Sequence, residues 1–276
     1  MEYLLKPITP ELLEQALCVE KAAMGDHCYL GDVYEYYLTT QGELTGAFVG
    51  EQLVGIGKFT VLWDGSGWLE TLRVEPQWQR KGVGTAIYHR YMEQAAQFGC
   101  PYIRMYTGFR NVSSAELARR FGLEKAMQFR EYVLPAAAPY GDITGFVPVS
   151  PEGAPALLAP YFAQYNGYAV MNRTYYRLNE LTCRGLAQNG RVWHHAASGT
   201  VMVAGARFQS TKGLHIALLE GDRSRGLAFA QLLAQQRGAG RIVCNFALEN
   251  PSLESFLQNS GFTVGGGDLI TMEAKL

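Results

Sequence analysis

Apolar and polar positions divide the chain into short strands and amphipathic helices. Leu44 to Leu62 reads as two strands joined by a Gly50-Glu51 turn, and Trp68 to Val74 as a further strand. A helix is expected from Thr85 to about Gln97, because Ile87, Tyr91 and Ala95 fall on one stripe at helical spacing. Gly99-Cys100-Pro101 ends that element. Tyr102 to Thr107 then reads as a strand, and a helix runs from Asn111 to Arg120. Along the strand before the long helix, period-two alternation places Glu70, Leu72 and Val74 on one face and Glu75 on the other.

The pattern then breaks and restarts. Pro135-Ala136-Ala137-Ala138-Pro139-Tyr140-Gly141 has no apolar period and reads as a connector. Beyond it, Pro148-Val149-Ser150-Pro151-Glu152 echoes Pro7-Ile8-Thr9-Pro10-Glu11. Arg223, Gly226 and Ala228 echo the glycine-bearing segment that opens the long helix, and Asn250 to Phe262 echoes the segment from Asn111. Three echoes in one order predict a tandem pair of domains. The expected division is 1–135, a linker at 136–144, and 145–276.

The loop between strand and helix carries the clearest chemistry. Gln79-Arg80-Lys81-Gly82-Val83-Gly84-Thr85 sets two cations and two glycines at a helix start with no acidic residue in its first turn. Cations there oppose the helix dipole unless an anion is bound. Glycines let backbone N–H groups converge on one point, so the loop suits a phosphate. A P-loop is excluded because the lysine precedes both glycines, and a dinucleotide fingerprint lacks its third glycine.

Composition narrows the class. At 276 residues the chain has room for two domains, and 48% hydrophobic with 18% charged residues is ordinary for globular proteins. A net charge of −1 argues against nucleic acid as a partner, so a negative ligand must be caught by a local feature. Cys18, Cys28, Cys100, Cys183 and Cys244 are scattered without a Cys-x-x-Cys pair, and no secretory leader is evident, which together favour a reduced cytoplasmic protein. No uncharged run is long enough for a membrane helix. A metal site is not expected: Asp26-His27-Cys28 has no second cluster of ligands, and His194 and His195 point to opposite strand faces.

The segment Val74-Glu75-Pro76-Gln77-Trp78-Gln79-Arg80-Lys81-Gly82-Val83-Gly84 resembles the acetyl-CoA signature of the GNAT N-acetyltransferase superfamily, Gln/Arg-x-x-Gly-x-Gly/Ala after a hydrophobic strand. Asn111 to Leu123 is similar to a second motif of that family, with Ser114 in place of an alanine and Leu123 in place of a phenylalanine. The resemblance implies an α/β (α+β) fold of two GNAT-like acyl-CoA N-acyltransferase domains, each a twisted, mixed and mostly antiparallel sheet flanked by helices. It implies acetyl-CoA as co-substrate, an amine of a small molecule or peptide as acceptor, and leaves a homodimer open. Leu72, Arg73 and Val74 are then expected to hold pantetheine. Gln79, Arg80, Lys81, Gly82, Val83, Gly84 and Thr85 are expected around the pyrophosphate, and Asn111 beside the pantetheine or a water.

An alkylamine is mostly protonated at neutral pH, so transfer needs a base. Glu70 is the first candidate, ahead of Glu75. Many family members carry a tyrosine seven residues after the asparagine, and that position here is Ala118. Tyr106 is the candidate replacement acid, with Ser113 and Ser114 as alternatives. The aromatic run Tyr29, Tyr34, Tyr36, Tyr37 is a candidate lining of the acceptor pocket or part of the core, and His215 faces the second cleft or is packed. The second half matches the signature weakly and is expected to be degenerate. A non-catalytic CoA-binding protein, or an active site in the second half, are the alternatives.

Overall fold

The computed structural model describes residues 2–276. By contact the chain forms two compact units: Met1–Thr107 with Asn111–Ala126 and Met272–Leu276, and Gly108–Arg110 with Met127–Thr271. The division falls inside a strand rather than at the 136–144 connector. Residues 129–135 belong to the second unit, where they pair with the strand Arg241–Ala247, and the last five residues belong to the first.

In the first unit β1 (Leu4–Pro7) is followed by helices α1 (Leu13–Met24) and α2 (Leu30–Thr39). Strands β2 (Gly42–Val49), β3 (Gln52–Val61) and β4 (Gly67–Val74) then lead to α3 (Val83–Gln97), β5 (Tyr102–Gly108), α4 (Val112–Arg120) and β6 (Glu124–Pro135). The strand order is β1-β2-β3-β4-β5, antiparallel except for the parallel pair β4·β5. The turn at Gly50-Glu51 lies where the sequence places it, with Gly50 at φ 58°. Ile87, Tyr91 and Ala95 form the buried stripe of α3, as their spacing requires. That stripe lies so close to β3 that a Cβ at Gly57 would stand 2.1 Å from Tyr91 Oη.

The second unit repeats the plan. It contains β7 (Val147–Pro148), α5 (Ala154–Leu158), the hairpin β8 (Tyr168–Met171) and β9 (Thr174–Arg177), and α6 (Glu180–Gln188). β10 (Val192–His195), β11 (Thr200–Gly205), β12 (Leu214–Glu220), α7 (Arg223–Gln236), β13 (Arg241–Ala247), α8 (Pro251–Asn259), β14 (Thr263–Val264) and β15 (Leu269–Lys275) follow. Its strands run β7-β10-β11-β12-β13-β6, again antiparallel apart from one parallel pair, β12·β13. A parallel pair in each unit, β4·β5 and β12·β13, followed each time by an Asn-capped helix at Asn111 and at Asn250, marks the repeat.

Candidate active site

The parallel strands of the first unit separate. Pairing of β4 with β5 covers only Gly67–Leu69 against Ile103–Met105, so beyond Leu69 the β5-facing backbone of β4 has no strand partner among the described residues. An extended ligand can complete it as an added strand. The opposite edge of β4 carries a bulge. Ile56 pairs with Arg73 and Lys58 with Glu70, which leaves Gly57 facing both Thr71 and Leu72. Thr71 adopts φ 58°, a left-handed conformation that is strained for a β-branched residue.

This bulge overturns the alternation read from the sequence. Leu72 points toward α3, where its Cδ2 lies 3.9 Å from a Cβ built on Gly84. Glu70 and Thr71 instead both face α2. The Glu70 carboxylate accepts hydrogen bonds from Thr60 Oγ1 (2.7 Å) and Tyr37 Oη (3.3 Å). Thr71 Oγ1 bonds Tyr37 Oη at 2.7 Å and Tyr29 Oη at 2.9 Å. Arg73 comes to the same side, its guanidinium 5.6 Å from the centre of the Tyr29 ring. Burial pushes the Tyr29 phenol up to about 12, against the opposing pull of Arg73, while the nearby Tyr106 adds to the rise.

Of the aromatic run, Tyr29 and Tyr37 therefore reach the polar cluster, whereas Tyr34 is buried and its hydroxyl has no hydrogen-bond partner among the described residues. Tyr106 stacks on Trp68 with ring centres 6.2 Å apart. Thr71 is the residue that pattern reading missed. The available signal was Gly57, a glycine in a strand interior opposite the bulge.

At the other end of the cleft, α3 begins at Val83, two residues before its expected start. Gly82 is its cap residue at φ 95°, which glycine adopts readily, and no side chain caps the helix. The first helical bond runs from the Ala86 N–H to the Gly82 carbonyl, leaving the N–H groups of Val83, Gly84 and Thr85 without helical acceptors. Arg80 and Lys81 stand exposed beside them, with Lys81 Nζ 5.0 Å from the centre of the Trp78 ring. Tyr3 Oη donates to the Lys81 carbonyl at 2.6 Å, and Gln79 Nε2 donates to the Val74 carbonyl at 3.1 Å, folding the loop back onto its strand. Gly84 has a packing role, since a Cβ there would lie 3.1 Å from Leu117 Cδ2 on α4. Asn111 caps α4 by accepting from the Ser114 N–H, and Ala118, at the position of the expected tyrosine, is fully buried.

The matching place in the second unit is filled by its own side chains. Pairing of β12 with β13 also stops early, at Ile216 and Cys244. Here Tyr165 Oη inserts, accepting from the Leu219 N–H at 2.9 Å and lying 2.9 Å from Glu220 Oε1. Only Gly221 and Asp222 separate β12 from α7, whereas residues 75–82 separate β4 from α3. Asp222 caps α7 through the Arg225 N–H, and Arg223 and Arg225 are paired with Glu220, Asp222 and Asp142. The echo at Arg223, Gly226 and Ala228 is therefore no loop: all three lie in α7, and a Cβ at Gly226 would meet Leu219 Cδ1 at 2.3 Å.

Comparison with known proteins agrees with this architecture. Residues 11–123 match the acetyltransferase (GNAT) family. That match places residues 11–123 in the GNAT acetyltransferase family, and over nearly its full length the chain shares the fold of tandem GNAT structures. A GCN5-related N-acetyltransferase from Sphaerobacter thermophilus superposes with a TM-score of 0.65 at 13% identity, over 99% of this chain and 95% of that one. A tandem GNAT protein from the clavulanic acid biosynthesis pathway gives 0.62 at 14% identity, over 99% and 98%. A GCN5-related N-acetyltransferase from Kribbella flavida gives 0.54 at 15%, over 100% and 71%. At these identities the likeness is one of fold. No curated protein sequence matches the chain. Among the described residues there is no cluster of metal-ligating side chains, and no helix is long and apolar enough to cross a membrane.

Proposed function

We propose that the first unit transfers an acetyl group from acetyl-CoA to an amine. The observation that carries this reading is the pairing of an uncapped, cation-flanked helix start with a strand edge left open beyond Leu69. The residues fit the co-substrate. Free N–H groups of Val83, Gly84 and Thr85, with Arg80 and Lys81, suit its pyrophosphate. The β5-facing edge of β4 at Leu72, Arg73 and Val74, which no strand covers among the described residues, suits its pantetheine amides. When bound, acetyl-CoA supplies the activated acetyl group.

The remaining work falls to side chains at the bulge. Glu70, fixed by Thr60 and Tyr37, accepts the proton of the acceptor ammonium, leaving the amine free to attack. The bulge turns backbone at Thr71 and Leu72 out of the β3 ladder, a position suited to donating an N–H to a developing oxyanion. Tyr106, close to Tyr29, is the hydroxyl we assign to protonate the leaving thiolate. A thiolate is a tolerable leaving group by itself, so this assistance is secondary.

In the second unit the same cleft holds the Tyr165 hydroxyl and its helix start holds the Asp222 carboxylate. We assign it a structural role and place the chemistry in the first unit. Isothermal titration with acetyl-CoA, followed by an amine panel read by thiol release, tests the proposal. Binding with acetyl transfer is expected. Binding without transfer to any amine favours a CoA-binding regulator, and absence of binding defeats both.

A further inference from the structure

Glu70 is joined to Tyr29 by a continuous file of hydroxyls. Tyr37 Oη lies 3.3 Å from Glu70 Oε2, Thr71 Oγ1 lies 2.7 Å from Tyr37 Oη, and Tyr29 Oη lies 2.9 Å from Thr71 Oγ1. Each hydroxyl carries one proton, and that count sets the direction of every bond. A carboxylate only accepts, so Tyr37 donates to Glu70. Tyr37 then offers Thr71 only lone pairs, so Thr71 donates to Tyr37. By the same step Tyr29 donates to Thr71. At the far end Arg73 Nη2 aims a donor at the Tyr29 oxygen from 3.4 Å, consistent with that order. All three protons point toward Glu70.

The bulge is what assembles the file. Regular alternation turns residues 70 and 71 to opposite faces, and the φ of 58° at Thr71 brings both to the α2 side. Strain of about 1–3 kcal/mol is the ordinary cost of such a conformation. Three ordered hydroxyls ending on one carboxylate are what this strain secures.

We propose that the file carries the acceptor's proton to Glu70, with Tyr29 as the group that meets the ammonium; this rests on the acetyltransferase reading above. The ammonium N–H gives its proton to Tyr29 Oη, Tyr29 passes its own to Thr71, Thr71 to Tyr37, and Tyr37 to the Glu70 carboxylate. The amine ends neutral, every hydroxyl ends with one proton, and Glu70 ends as a carboxylic acid. The second amine proton leaves with the thiol when the C–S bond breaks and the C–N bond forms. Glu70 returns its proton to solvent before the next turnover. Tyr29 stays protonated between turnovers, since burial raises its phenol to about 12, so it passes a proton on and does not act as the base itself.

The test compares Thr71→Val, which cuts the file while keeping the shape, with Thr71→Ser, which keeps the hydroxyl. Thr71→Val is expected to lower kcat by about 10²–10³-fold with unchanged acetyl-CoA affinity, and Thr71→Ser to keep most of the activity. In Thr71→Val the rate should follow the acceptor's own ionisation, rising about tenfold per pH unit. The curved proton inventory of the wild type should become linear. The titratable groups around Glu70 are Lys58 on β3, Tyr37 on α2, Tyr29 before α2, and Tyr91 on α3, which bonds the Glu70 carbonyl, and all remain in both variants. In the protein without ligand, hydroxyl-proton NMR should show the Tyr29 signal displaced by Thr71→Val. Equal loss in both variants, or a Tyr29 signal indifferent to Thr71→Val, overturns the relay. Intact transfer by Thr71→Val sinks the relay and spares the transferase. A wild type that binds acetyl-CoA and acetylates no amine sinks both.

Discussion

The Tyr165 hydroxyl takes the Leu219 N–H at 2.9 Å and lies 3.1 Å from the Leu219 carbonyl oxygen, meeting both backbone groups of Leu219 beyond the point where β12 and β13 part. In the first unit the equivalent edge beyond Leu69 has no strand partner among the described residues and, on the proposed function, takes the co-substrate. One co-substrate per chain is therefore expected. Calorimetric titration should give a stoichiometry near one, and the double variant Arg80→Ala/Lys81→Ala should weaken that single site by about 10–100-fold, as loss of charge-assisted hydrogen bonds does. A second binding event that survives the double variant would place a ligand in the second unit and refute the assignment.

Gly82 offers a sharper cut at the same site. Its φ of 95° suits a residue without Cβ, and space is not the constraint, since a Cβ there meets only Tyr3 Cε2 at 3.8 Å. Gly82→Ala should thus cost about 1–3 kcal/mol if the loop keeps its shape, or relax the loop and scatter the N–H groups of Val83 to Thr85. Either way acetyl-CoA affinity should fall more than thermal stability. Melting curves with and without acetyl-CoA check this: a variant stabilised by the ligand as strongly as the wild type would show that the loop does not shape the site.

Glu70→Gln tests the base. Glutamine keeps the Thr60 and Tyr37 contacts within reach while losing the ability to take up a proton. Turnover should fall by about 10²–10⁴-fold, most steeply at low pH, where the acceptor is most fully protonated. The rate of the variant should recover as pH approaches the acceptor's own pKa. A pH–rate profile parallel to that of the wild type removes Glu70 from the role.

How much of this was legible beforehand follows from the kind of signal each feature leaves. The stripe of Ile87, Tyr91 and Ala95, the Gly50 turn and the Asn111 cap are local, so spacing and residue type reveal them. The polar cluster at the bulge was legible only in pieces, as Glu70 and a run of tyrosines. Their union depends on the Thr71 bulge, and threonine is an ordinary strand residue with no mark of left-handed backbone. The second unit misled for the opposite reason. Arg223, Gly226 and Ala228 satisfy a phosphate-loop spacing, yet a six-residue pattern fits a helix as readily, and the shortened link from Glu220 to Arg223 leaves no loop to form. The division of the chain was likewise hidden, because residues 129–135 and 272–276 are placed by strand pairing distant in sequence.

His215 gives the second unit an acid-sensitive element that owes nothing to catalysis. It is buried on β12, and burial lowers its imidazole to about 4; attraction from Glu131 opposes this, while Arg241 and Arg173 reinforce it. Glu131 is engaged by Arg173 at 2.9 Å, which spreads its charge away from the ring. The unfolded chain takes up a proton at an ordinary histidine pKa near 6.5, and the folded chain does not until about 4. As pH falls through that window the unfolded state binds more protons, so stability declines with decreasing pH, by about 3 kcal/mol when the window is crossed. Above pH about 6.5 the residue contributes no pH dependence. Carboxylates add their own slopes, so the informative quantity is the difference between wild type and His215→Gln. Denaturant melts across the window should show a flatter decline for the variant, and hydrogen exchange in β11 to β13 should report the same difference locally. Parallel declines would mean that His215 is protonated in the folded protein and that Glu131, close by, outweighs its burial.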